Sequence, residues 1–122
     1  RCDRTVSLID LYPTFIDVCG LSPKDGLEGV SLKPLLEKPD LEWDRPALTT
    51  HIKGNHSVRS ERWRYTRYED GTEELYDHDN DELEWTNLAE DAKYKEVIAA
   101  HTAWLPKYEA PASEPLRRDA EN

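Results

Sequence analysis

The stretch RWRYTRYEDGTEELYDHDND, residues 62–81, decides how this chain folds. Trp63, Tyr65 and Tyr68 are interleaved with Arg62, Arg64 and Arg67, and aromatic side chains of this kind pack well on a pleated, half-buried surface. Asp70 and Gly71 follow, a pair that accepts the backbone angles of a tight reversal and so marks a hairpin. Beyond the turn, TEELYD returns as a second strand before the carboxylates of Asp77, Asp79 and Asp81. A binding surface, a metal loop and a plain hairpin compete as readings of the stretch.

Upstream, residues 56–68 form two strand-like runs divided near Ser60 and Glu61, and PALTTHI, residues 46–52, is rich in β-branched side chains. Together these runs predict four antiparallel strands, with the sheet spanning about residues 47–76. Downstream, Tyr94, Val97, Ile98, His101, Trp104 and Leu105 recur at helical spacing, with Asp91 as the cap and Pro106 as the stop. One helix over 91–105 is therefore expected to cover one face of the sheet. The tail from Pro106 has three prolines and few apolar residues, which predicts an irregular segment lying along the surface.

The front of the chain has a different character. In TVSLIDLYPTFIDVCGL, residues 5–21, Leu8, Leu11, Phe15, Val18 and Cys19 fit helical spacing, and Ile9, Tyr12 and Ile16 widen the stripe enough for burial on two sides. Ser7 can cap this helix and Gly20 can close it, while Pro13 lacks the amide proton and predicts a break at Tyr12 and Pro13. Residues 22–46 then alternate Pro, Gly and Asp with short apolar clusters, as a loop does around a single helical turn at 31–36. A helix this apolar with so little to pack against implies that its other wall lies outside these residues.

Length and charge limit what the molecule does. A chain of 122 residues amounts to about one domain on a scale of roughly 100–200 residues each. Sixteen Lys and Arg against 26 Asp and Glu, a net charge of -10, exclude a general affinity for nucleic acid or an anionic membrane. No apolar run approaches the roughly 18–20 residues needed to cross a bilayer. The sequence contains no methionine, so it reads as a piece of a longer protein. Cys2 and Cys19 carry no redox motif and are expected to be two buried thiols.

Chemistry narrows the reading of residues 62–81. Asp77, Asp79 and Asp81 match the first three ligand positions of a calcium loop, but Glu82 stands where Gly is required and Leu88 where a bidentate Glu belongs. The metal loop fails and a solvated turn replaces it. Aromatics alternating with arginines suit base stacking, yet on an acidic chain they are better explained by sheet packing, with the arginines paired to nearby carboxylates. The stretch is a hairpin. No Gly-x-Ser-x-Gly occurs, and neither cysteine lies near a histidine in sequence. Of the four histidines, His51 and His56 flank a turn that also carries Lys53, Gly54 and Asn55, which offers a cation and neutral donors to an anionic substrate. His78 is expected in solvent, and His101, on the apolar face of its helix, as a satisfied core histidine.

In this order and spacing, VSLIDLYPTFIDVCGL, LEGVSLKPLL, HSVRSERWRYTRYEDGTEELYDHDNDELEWTNLAE and WLP resemble the C-terminal part of a type I sulfatase of the iduronate-2-sulfatase-like group, over residues 6–106. The resemblance implies an α+β architecture: a four-stranded antiparallel sheet packed on a C-terminal helix, preceded by the last helix of an alkaline-phosphatase-like α/β domain. Residues 1–45 would then end the large domain and 46–122 form the C-terminal subdomain, with Asn87 and Leu88 closing the sheet. It also implies hydrolysis of sulfate esters by a formylglycine beside a calcium ion, in a periplasmic, secreted or lysosomal setting. The formylglycine comes from the Cys or Ser of a Cys/Ser-x-Pro/Ala-x-Arg motif. Cys19 has Leu21 and Pro23 at the two defining places, and Cys2 has Arg4 and Val6, so neither can be the modified residue. The catalytic residues and the calcium ligands are thus expected in the remainder of the sulfatase chain, and this segment is expected to be inactive alone. By the same resemblance Lys53, Asn55 and His56 become candidates for contact with a sulfated sugar at the border of the substrate pocket. A different class of function, a non-catalytic interaction or carbohydrate-binding module, is favoured if no Cys/Ser-x-Pro/Ala-x-Arg motif precedes residue 1.

Overall fold

In the computed structural model, which describes residues 1–109 and 111, the stretch 62–81 is a hairpin. Four strands, β1 (Ala47–Thr50), β2 (His56–Arg59), β3 (Trp63–Arg67) and β4 (Glu73–Asp77), pair antiparallel in sequence order. The register aligns Leu48 with Val58, Val58 with Tyr65, and Tyr65 with Leu75, so one apolar row crosses all four strands on a single face. Val58, Tyr65 and Leu75 are each 0% exposed, and burial of such a side chain stabilises by about 1.5–3 kcal/mol. The opposite face carries Ser57, Arg59, Arg64, Thr66 and Glu74, the alternation expected of a sheet covered on one side only.

The cover comes from the C-terminal side. Leu105 completes the buried cluster, and Trp63, Leu88, Tyr94, Val97 and Ile98 pack around it. The Trp63 and Tyr94 rings meet at 5.4 Å with their planes tilted by 57°. The helix is shorter than the spacing predicts. Asp91 accepts a bond from the Lys93 N–H at 2.9 Å, a 3-10 turn follows at Ala92–Tyr94, and α-helix runs only over Lys95–Thr102 (here α3). Trp104 and Leu105 then bond back to His101 and Thr102 in tighter turns, because the ring of Pro106 disfavours helical geometry in the residue before it. Residues 110 and 112–122, most of the tail expected to lie along the surface, fall outside the described residues.

Beside β4 the sheet edge is closed as the resemblance implied. Asn87 accepts the Leu75 N–H at 3.0 Å and donates to the Glu73 carbonyl at 3.1 Å, and the Leu88 N–H reaches the Leu75 carbonyl at 2.9 Å. Backbone groups that would invite another strand are thereby satisfied.

The front half opens with a 3-10 turn at Leu8–Asp10 and passes into α1, Leu11–Val18. The change of helix type lies between Asp10 and Leu11, not at Tyr12 and Pro13. Pro13 is the third residue of α1, within the first turn, where a missing N–H costs no bond inside the α-helix, and the Leu11 N–H bonds the Leu8 carbonyl of the preceding 3-10 turn instead. Gly20, at φ 65°, ends the helix: its N–H bonds the Asp17 carbonyl at 3.2 Å, and the Leu21 N–H bonds the Ile16 carbonyl at 2.9 Å. The second short helix, α2, is Lys33–Glu37 rather than 31–36, and only Leu35 of it is buried hydrophobic surface.

The apolar stripe of α1 is uncovered. Phe15 is 61% exposed and Leu8, Leu11, Tyr12 and Val18 are likewise open, in place of burial on two sides. The cysteines also depart from expectation. Both are free and exposed, Cys19 at the end of the uncovered helix and Cys2 with its thiol donating to the Pro39 carbonyl at 3.3 Å. Among the described residues no helix is long and apolar enough to cross a membrane.

Candidate functional site

The loop from His51 to Asn55 joins β1 to β2 under unusual backbone constraint. It closes through the His51 N–H bond to the Asn55 carbonyl at 3.0 Å, and it holds Ile52 at φ 63° and Gly54 at φ 79°. A β-branched residue in the left-handed region is a genuine outlier, costing of order 1–2 kcal/mol. Glycine is required at position 54 on a second ground, since an added Cβ would lie 2.8 Å from Glu69 Cβ. Asn55 fixes this geometry: its amide donates to the Lys53 carbonyl at 3.1 Å and its oxygen accepts the Glu69 N–H at 3.3 Å.

His56 is buried at the start of β2. Its Nδ1 lies 2.9 Å from Thr50 Oγ and its Nε2 2.9 Å from Glu109 Oε1. A carboxylate only accepts, so Nε2 donates to Glu109, while Nδ1 and the Thr50 hydroxyl share the second bond. The bond from His56, reinforced by the charge of Lys53, holds the Glu109 carboxyl below its ordinary value. Thr50, His56 and Glu109 thus pin the segment after Pro106 against the open end of the sheet.

Between that segment, the 51–55 loop and β1 lies a cleft of about 900 Å³, bordered by Arg45, Leu48, Ile52, Lys53, Trp104 and Tyr108. The three residues singled out in the sequence take different positions. Lys53 lines the cleft and makes no ion pair with any described residue. His56 also lines it, with both ring nitrogens engaged. Asn55 does not line it; its side chain lies with Tyr68, Glu69, Asp70 and Thr72. Glu109 and Arg45 were not singled out, and Trp104, read as part of the apolar stripe from Tyr94 to Leu105, instead lies just past α3 and is 44% exposed.

The remaining polar groups are structural. Arg62 grips Asp77 through two bonds of 2.7 Å and holds its carboxyl well below the usual carboxylate range, while Asn80 donates to the same carboxylate. Arg64 pairs with Glu84 at 3.0 Å. His78, expected in solvent, is instead largely covered and bonded to Glu84 at 2.6 Å, because Glu84 adopts φ 58° and turns back onto it. His101 is a satisfied core histidine: Nδ1 donates to the Val97 carbonyl at 2.7 Å and Nε2 meets Ser60 Oγ at 3.0 Å. Among the described residues no group of three or more His, Cys, Asp or Glu is placed to hold a metal ion.

Comparison with known proteins gives a consistent result. A family model described as N-sulphoglucosamine sulphohydrolase, C-terminal, matches residues 1–110. A sulfatase of Formosa agariphila is 40% identical over 90% of this chain and 22% of its own length. A Δ4,5-hexuronate-2-O-sulfatase of Bacteroides thetaiotaomicron is 34% identical over 85% of this chain and 24% of its own. The solved structure of a 2-O GAG sulfatase superposes with a TM-score of 0.60 at 34% identity, covering 77% of this chain and 22% of that one. The chain thus spans about a quarter or less of the length of the relatives it matches.

Proposed function

We propose a role that starts from one fact: the chain belongs to the N-sulphoglucosamine sulphohydrolase C-terminal family, the C-terminal part of sulfatases. On this reading it completes the fold of a sulfatase that hydrolyses sulfate esters of a sulfated sugar. It borders the substrate pocket and is inactive alone. The match over residues 1–110, against relatives about four times longer or more, carries the proposal. The uncovered stripe of α1 supports it, since a large α/β domain from the remainder of the sulfatase would cover those side chains.

Chemical roles divide accordingly. The formylglycine and the calcium ion would be supplied by the remainder of the sulfatase, where the ion polarises the sulfate oxygens. Within this segment Lys53 would meet the carboxylate or sulfate of the sugar, His56 would hold the cleft wall through Thr50 and Glu109, and Asn55 would keep the loop in position. The hexuronate named for one relative is the kind of acidic ring that a lysine recognises. A periplasmic, secreted or lysosomal location belongs to the same proposal.

The test has two arms. The purified 122-residue chain should turn over no aryl sulfate, whereas the full-length sulfatase carrying it should. In that full-length enzyme Lys53→Ala should raise KM for a sulfated uronate sugar about tenfold with kcat little changed, and leave a small aryl sulfate unaffected. Turnover by the isolated chain above a metal-stripped control, or no turnover by the full-length enzyme, would refute the reading.

A further inference from the structure

We propose, resting on the sulfatase reading above, that Arg4 and Arg45 pin the sheet to the front of the chain, and that Arg4 and its partner Glu61 are thereby positioning residues for Lys53. Among the described residues, one hydrogen bond runs between residues 1–45 and those that follow, from Arg4 Nη1 to Glu61 Oε1 at 2.8 Å. The same guanidinium donates through Nε to the Leu41 carbonyl and through Nη2 to the Asp40 carbonyl, both at 2.9 Å. A planar, rigid fork anchored at two points in the front loop fixes the direction from which its third arm meets Glu61.

Arg45 repeats the arrangement. Its Nη2 donates to the Glu28 carbonyl at 2.6 Å, and its guanidinium stands 5.8 Å from the ring centre of Trp104, just past α3. Each arginine therefore holds a backbone carbonyl of the front and a side chain of the part that follows. Two such pins resist a tilt that a single one would allow.

Leverage makes the pins matter for Lys53. Both lie at one end of the sheet, since Ala47, two residues after Arg45, pairs with Arg59, two residues before Glu61. The loop that carries Lys53 lies at the opposite end, beyond the pairing of Thr50 with His56. From Glu61 back to Asn55 the chain spans about 20 Å at roughly 3.3 Å per residue, so a tilt of about 5° at the pins moves the loop by about 2 Å. That displacement exceeds what a hydrogen bond to a substrate tolerates. The loop follows the strands instead of bending independently, because Asn55 ties it to the Lys53 carbonyl and the Glu69 N–H.

The experiment uses the full-length sulfatase with a sulfated uronate sugar and a small aryl sulfate. Glu61→Ala should raise KM for the sugar about threefold and Arg4→Ala about tenfold, with kcat within about twofold and the aryl sulfate constants unchanged. Glu61→Ala has the smaller effect because it leaves both carbonyl bonds of Arg4 in place. Glu61 is exposed, so its substitution leaves the fold intact. Glu61→Gln, which keeps an acceptor oxygen, should hold KM within about twofold of the wild type. In a Lys53→Ala background, Glu61→Ala should add nothing, since its effect passes through Lys53. Equal losses on both substrates, no loss on either, or a full further loss in the Lys53→Ala background would overturn the pinning. Should the wild-type enzyme cleave no sulfate ester, the sulfatase reading alone has failed, and amide exchange in the same full-length protein decides. Faster exchange in residues 38–46 of Arg4→Ala, with β3 and β4 unchanged, supports the pinning, and unaltered exchange there overturns it.

Discussion

The sheet buries Val58, Tyr65 and Leu75 completely, whereas the front of the chain leaves Phe15 61% exposed and buries the polar Asp10 and Thr14 instead. The two regions are therefore held by different forces. In the sheet one apolar row is sealed by Leu105 and its neighbours, a stabilisation proportional to the area removed from water. In the front, polar tethers dominate. Asp10 accepts the Ser7 N–H at 3.0 Å and the Val30 N–H at 2.9 Å, and Thr14 Oγ accepts the Leu32 N–H at 2.8 Å. Backbone also meets backbone where a Cβ on Gly29 would fall 2.2 Å from the Ile9 carbonyl oxygen. Tethers of this sort place α1 against the loop that follows it but remove little apolar surface from water. A region built in this way holds its hydrophobic face outward and supplies little core of its own.

The largest expected effect tests the asymmetry directly. Leu75→Ala should lower the unfolding free energy by about 2–5 kcal/mol, while Phe15→Ala should change it by no more than about 0.5 kcal/mol in the isolated chain. Urea titration of the two variants checks this, and equal losses would mean that α1 has found a core. A smaller effect separates tether from core. Asp10→Ala leaves two backbone N–H groups without their acceptor and should cost about 1–3 kcal/mol. The loss should appear as faster amide exchange in residues 7–32 with β2, β3 and β4 unchanged. Exchange rising uniformly would show that the two regions unfold as one.

The smallest effect concerns pH. Arg62 holds the Asp77 carboxyl below its ordinary 3.8, so the pair contributes stability above that value and loses it as pH falls toward the depressed one. Asp77→Asn should flatten the fall in urea midpoint below about pH 4 and leave the front region's behaviour unaltered. The amplitude should be modest, because Arg62 is half exposed and solvent screens the pair. A limb as steep in the variant as in the parent would assign acid sensitivity to other carboxylates.

Most of the sheet was legible because its signals are local. The Asp70-Gly71 turn and the alternation around Tyr65 specify a hairpin whichever partner it meets, and Asn87 and Leu88 were placed correctly by resemblance. Helix limits were less legible. The stripe from Tyr94 to Leu105 continues through residues that leave α geometry after Thr102, since a core can receive Trp104 and Leu105 from a turn as readily as from a helix. Much of the candidate site was not legible either. His56 and Glu109 are 53 residues apart, and no periodicity links them.

What the sequence determined by itself is the order of elements, the antiparallel sheet, the family and the loop that carries Lys53. All of these depend on residue type and short spacing. Only the tertiary structure decided that Glu109 locks His56, that Arg45 stands over Trp104, that His78 is covered by Glu84, and that both cysteines face outward. The physical reason is that local pattern records which face a side chain prefers. Its partner is set by how distant segments close around the same core, and whether an apolar face is covered depends on what else is present to pack against it.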